Sequence, residues 1–95
     1  MNNNLFVIAK ITPKAEYFKV ARQAILNVVT PTLKEEGCLQ FSVYESEMTL
    51  FLYEEWTDQA ALDEHYSMPY IEPVFESYKE WLAEPVIINK LSRLG

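Results

Sequence analysis

The sequence predicts an α+β fold of ferredoxin-like order, β-α-β-β-α-β, in which helices cover one face of an antiparallel sheet. Three observations lead there. Four runs rich in β-branched and aromatic residues fall at 5–11, 38–45, 49–56 and 86–91. The stretches after the first and third runs carry apolar residues at three- and four-residue steps, the helical period. Only a few residues part the second run from the third, enough for a hairpin and too few for a helix. At 95 residues the chain fits one domain, 1–95.

Each element has its own justification. Leu5–Ile11 is apolar on both faces apart from Lys10, as suits a central strand, and Thr12-Pro13 ends it. From Lys14 the period turns helical through Phe18, Ala21, Ile25 and Val28. Pro31, which has no N–H, kinks this helix or starts a new turn. Gly37 is the expected stop, through left-handed cap geometry. In "CLQFSVYE", Leu39, Phe41 and Val43 should point one way, and Gln40, Ser42 and Tyr44 the other. "SEM" is the expected turn, although neither Gly nor Asn marks it. In 49–56, Leu50, Leu52, Glu54 and Trp56 share one face, and Phe51, Tyr53 and Glu55 the opposite one. Thr57 is the expected N-cap of the next helix, with Asp58 in its first turn. Ala61, Leu62 and His65 lie on one side of that helix. Ser67-Met68-Pro69 then restarts it, with Pro69 at the first position. Ile71, Val74, Phe75, Tyr78, Trp81 and Leu82 form an apolar stripe. Glu84-Pro85 ends it before the last strand, "VIINKL". The helices cover one sheet face only. The apolar residues on the other face predict that a second subunit packs there.

Composition narrows the function. The net charge of −6 repels phosphate backbones, and the eight basic residues form no stripe, so neither nucleic acid nor an anionic membrane is an expected partner. No stretch reaches the ~20 apolar residues of a membrane span. The start, "MNNNLFVIAKI", has no basic region of the secretory type. The lone Cys38 cannot form an internal disulfide, and a cytoplasmic location is expected. With one His and one Cys no metal site is expected. With Gly37 and Gly95 as the two glycines, phosphate loops and dinucleotide fingerprints are excluded.

The candidate site residues cluster around the third strand and the helix after it. His65 is the sole imidazole, whose ordinary pKa suits a base or donor near neutrality; a hydrogen-bonded core histidine is the plainer alternative. Trp56 is a core aromatic, a pocket wall, or both. Tyr66 and Tyr70 flank the helix break as candidate ligand contacts. Glu54 and Glu55 are adjacent on a strand and point to opposite faces, so they do not act together. Glu54 shares its face with Trp56, and an ion pair with a nearby Lys or Arg is its plainer role.

Three segments at the right spacing resemble the antibiotic-biosynthesis monooxygenase family, over nearly the whole chain. "KEEGCLQFSVYE" is similar to the family's E-x-G-C turn into the second strand. "LYEEWTDQAALDEH" is similar to its Y-E-x-W strand and the helix ending in His. "SMPY" matches the Pro that opens the next helix in the family. "KEEGC" is also close to small bacterial quinol monooxygenases. The resemblance implies a homodimeric α+β barrel, two sheets face to face, with a pocket between sheet and helices in each subunit. It implies an oxygenase that needs no metal, flavin or haem. A small phenolic or quinol-like substrate is deprotonated, and its anion reduces O₂ directly. By position His65 would move the proton, Trp56 would wall the ring, and Glu54 would orient a polar partner. The sequence departs from the pattern in three places. The first strand has no Asn and "PYIEPVFESYKEW" has no His, which speaks against haem degradation. Tyr70 stands where many members have a second His. The loop after Tyr44 is shorter than in quinol-oxidising members. These departures keep an alternative open: a small-ligand binder or isomerase, of the autoinducer-processing type, on the same dimer.

Overall fold

A computed structural model describes residues 4–95. In chain order, β1 (Leu5–Ile11) leads through a 3₁₀ turn (Ala15–Tyr17) into α1 (Phe18–Asn27) and α2 (Val29–Leu33). The hairpin β2 (Cys38–Ser46) and β3 (Thr49–Trp56) follows, then α3 (Gln59–Tyr66), α4 (Glu72–Trp81) and β4 (Ile87–Leu91). The sheet order is β2-β3-β1-β4 with every pair antiparallel, the ferredoxin-like arrangement expected. β1 is central, as its two apolar faces require.

The period of two decides what is buried. Along β3, Leu50, Leu52, Glu54 and Trp56 are all buried, and the residues between them are half-covered. Val7, Ala9 and Ile11 lie on the same inner face of β1. The helices close over them with Phe18, Ala21, Ile25 and Leu62. The outer face is left open. It presents Ile8, Tyr44, Ile87 and Leu91, all exposed. Among the described residues no helix is long and apolar enough to cross a membrane.

Several local details differ from the sequence reading. The chain breaks at Val28, and Pro31 sits within the first turn of the short α2, where a missing N–H does no harm. Gly37 has no positive φ. Its role is proximity: a Cβ there would stand 2.3 Å from the Ala61 Cβ on α3. Leu39 is half-exposed rather than aligned with Phe41. The register slips between Cys38 and Gln40, so Leu39 is the extra residue of a bulge, and Cys38 takes the inner position opposite Trp56. Asp58, not Thr57, caps α3, accepting from the Ala61 N–H at 2.8 Å. Pro69 lies in a turn; α4 starts at Glu72, with Pro73 in its first turn. The stripe on α4 carries no buried residue within the helix; Ile71, just before it, is the buried one.

Candidate active site

The inner face of β3 and the facing side of α3 set the site. Trp56 ends β3, fully buried. The chain turns through the Asp58 cap, and α3 folds back over the sheet because Leu62 must be buried. One helical step beyond Leu62, His65 is carried inward to 3% exposure. Its ring lies against Trp56 with centroids 4.7 Å apart and against Phe41 at 5.7 Å.

A buried imidazole needs a polar partner. It has one in Glu35, whose Oε2 is 2.8 Å from His65 Nδ1, with both side chains more than nine-tenths buried. An ionised carboxylate can only accept, so the bond takes the hydrogen on Nδ1; in the neutral imidazole this tautomer keeps the lone pair on Nε2. The Tyr70 hydroxyl donates to the same Glu35 oxygen and lies 3.3 Å from the Pro31 carbonyl. Burial and this bond to Glu35 both push the Tyr70 hydroxyl up, so it stays a donor. Glu35 sits in the turn before Gly37. The close approach of that turn to Ala61 brings it within reach of α3.

On β3 the second carboxylate is held differently. Trp56 Nε1–H donates to Glu54 Oε1 at 2.9 Å. Burial pushes the Glu54 carboxyl up to about 7; the indole bond opposes this and the nearby Glu35 charge adds to it. Glu54 is therefore half-protonated near neutrality. Glu54 and His65 both line a cavity between the sheet and the helices. It leaves about 40 Å³ free for the centre of a water molecule, within about 480 Å³ of space that includes open solvent. Tyr66, Tyr78, Phe75 and Ile88 also line it, and aromatic rings follow one another from His65 through Tyr66 and Phe75 to Tyr78. Burial pushes the Tyr66 hydroxyl up to about 12 and raises Tyr78 as well, so both are neutral donors.

Of the residues singled out in the sequence, Glu54, His65 and Tyr66 share the cavity wall. Trp56 stands behind them, holding Glu54 and packing on His65, and is not itself on the wall. Tyr70 reaches the site through Glu35. Glu54 is bonded to an indole rather than to a Lys or Arg. Glu35 is the first residue of the E-x-G-C turn, but the sequence alone gives it no role in the site. Cys38 is half-buried beside both carboxylates; burial, then Glu35 and Glu54, push its thiol up to about 11 and keep it unreactive. Among the described residues no group of three or more His, Cys, Asp or Glu side chains is placed to hold a metal ion.

Comparisons with known proteins agree with this fold. The sequence profile of the family "Antibiotic biosynthesis monooxygenase" matches residues 4–83. A protein of Mycobacterium tuberculosis named "Putative monooxygenase Rv0793" is 31% identical over 96 residues, covering 99% of this chain and 95% of that one. The solved structure of Rv0793 superposes with a TM-score of 0.92 at 30% identity, over 98% of this chain and 97% of that one. PA3566 of Pseudomonas aeruginosa also superposes with a TM-score of 0.92, at 26% identity, over 100% and 98% of the two chains. The matched residues 4–83 contain the Glu35 turn, the Glu54–Trp56 strand and the His65 helix, and on this ground the chain belongs to the antibiotic biosynthesis monooxygenase family.

Proposed function

We propose that the protein is a monooxygenase that uses no metal, flavin or haem and acts on a small phenolic or quinol-like ring in the cavity between sheet and helices. The observation that carries this reading is the Glu35–His65 pair, which leaves Nε2 as the basic nitrogen of a residue on an apolar, aromatic cavity wall. His65 Nε2 takes the proton of the ring hydroxyl. The electron-rich anion gives electrons to O₂, and a ring carbon bonds to one oxygen atom. The O–O bond then breaks. One oxygen stays as a ring carbonyl, and the other leaves as water with the hydroxyl hydrogen and the hydrogen of that carbon. Glu35 stabilises the imidazolium between these steps, and Tyr70 holds Glu35 in place. Trp56 fixes Glu54 and backs His65; Tyr66 offers a neutral hydroxyl to the ring's substituents.

Two further parts of the reading concern the setting. The exposed Ile8, Tyr44, Ile87 and Leu91 on the bare sheet face support a homodimer through that face. The lone thiol of Cys38 asks for no oxidising compartment and fits a cytoplasmic enzyme. Oxygen uptake with a panel of naphthoquinols and phenols in chelator-treated buffer tests the activity; one molecule of O₂ consumed per ring oxidised is the expected outcome. A second reading, an isomerase, draws on Glu54, because a carboxyl half-protonated near neutrality beside an imidazole base can return a proton to a different atom. Solvent deuterium entering a ligand without oxygen uptake would favour it.

A further inference from the structure

The polar groups around the cavity are acidic or neutral. β3 contributes Glu54; α3 contributes His65 and Tyr66; α4 contributes Tyr78. Glu35 stands behind His65, and Cys38 of β2 lies beside both carboxylates. From β1, α1 and β4 the wall receives apolar side chains such as Ile11, Ile25 and Ile88. Among the described residues no Lys or Arg lines the cavity. His65 gives no net positive field, since the carboxylate of Glu35 lies 2.8 Å from its ring. An anionic ligand would thus enter an apolar space with a like charge on the wall and no cation to pair with. A neutral hydroxyl meets the reverse: Nε2 accepts from it, and the protonated form of Glu54 or a tyrosine hydroxyl donates to it.

We propose that the cavity selects neutral ring hydroxyls over ring carboxylates, and that Glu54 is the residue that sets this selectivity. This rests on the ring-binding reading above and adds a substrate class to it: hydroxyarenes without an acidic substituent.

The test compares two bicyclic probes of nearly equal size, 2-naphthol and 2-naphthoate, by calorimetric titration of the full chain at about pH 6 and about pH 8. Any apolar cavity disfavours a carboxylate, so the informative quantity is how the affinity ratio changes with pH. In the wild type the ratio in favour of naphthol should rise about tenfold or more as Glu54 ionises, the effect of a like charge in a poorly solvated site. In Glu54→Gln the rise should shrink at least about threefold. The wild-type arm does not depend on the variant folding. A ratio that does not move with pH in the wild type overturns the role of Glu54, as does an equal rise in the two proteins. Naphthoate bound as tightly as naphthol overturns the selectivity and leaves the ring site standing. Failure of both probes to bind overturns the ring site itself and this inference with it.

Discussion

The two ends of the cavity are built on opposite plans. At the β3–α3 end, Trp56 and Leu62 are fully buried, and Glu35, Glu54 and His65 each have a fixed polar partner. At the α4–β4 end, no residue within either element is buried, and Phe75 and Ile88 are exposed. The first end holds its buried polar groups rigidly, because a buried charge out of place is costly. The second is apolar and loosely covered, so it can give way to a ligand at little expense. Such an end opens more easily than the global fold.

The comparison breaks first at Trp56. Trp56→Ala removes a fully buried indole and leaves Glu54 without its donor. It should cost about 3–5 kcal/mol in denaturant unfolding, and a loss under about 1 kcal/mol would mean that the rigid end is not rigid. Next comes His65→Ala. In the oxygen-uptake assay it should lower turnover by about 10²-fold, the range for an acid–base group, with secondary structure kept by circular dichroism. Turnover within about threefold of wild type would remove His65 from the reaction.

Glu54 gives the third test, through pH. Its carboxyl is raised from 4.5 to about 7 in the folded chain, so the folded state holds that proton more tightly than the unfolded state. The associated stability is fully present below about pH 4.5, falls as pH rises and is gone above about pH 7. Wild type should therefore lose roughly 2–3 kcal/mol more than Glu54→Gln across that window. Parallel stability curves for the two proteins would refute the assignment. The smallest effect belongs to the loose end. Phe75→Ala should cost under about 1 kcal/mol, because the side chain is already 39% exposed, and should change ligand association rates more than unfolding midpoints.

How much of this was legible in the sequence depends on the range of the interaction. β3 was read correctly to the residue, because alternate burial leaves its mark on neighbours two apart. The inward aim of His65 followed for the same reason, from the helical spacing beyond Leu62. Leu39 was misplaced because a bulge is one extra residue with no composition of its own. Thr57 was preferred to Asp58 as a cap because both side chains can accept, and only the backbone decides. The stripe on α4 told which face is apolar and not what lies against it. The motif contains Glu35 but not its role, because its partner is thirty residues away, and a contact across that separation leaves no periodic trace. Trp56 was expected on the cavity wall, yet its indole N–H is directed to a carboxylate two residues back on its own strand.

The tip of the β2–β3 hairpin has a consequence for engineering. Glu47 and Met48 form a two-residue turn, and both have positive φ, at 48° and 64°. Residues with a Cβ tolerate that region poorly, at about 1–2 kcal/mol each, and Asn-Gly is the pair that fits it. Replacing both should return a few tenths to about 1 kcal/mol, since the added glycine also loosens the unfolded chain. The tip adjoins Thr49, which lies seven residues up β3 from Trp56, about 23 Å along the strand. Stability recovered there is remote from every group that handles a proton. It is a reserve on which weakened variants of the cavity can be carried while their chemistry is measured.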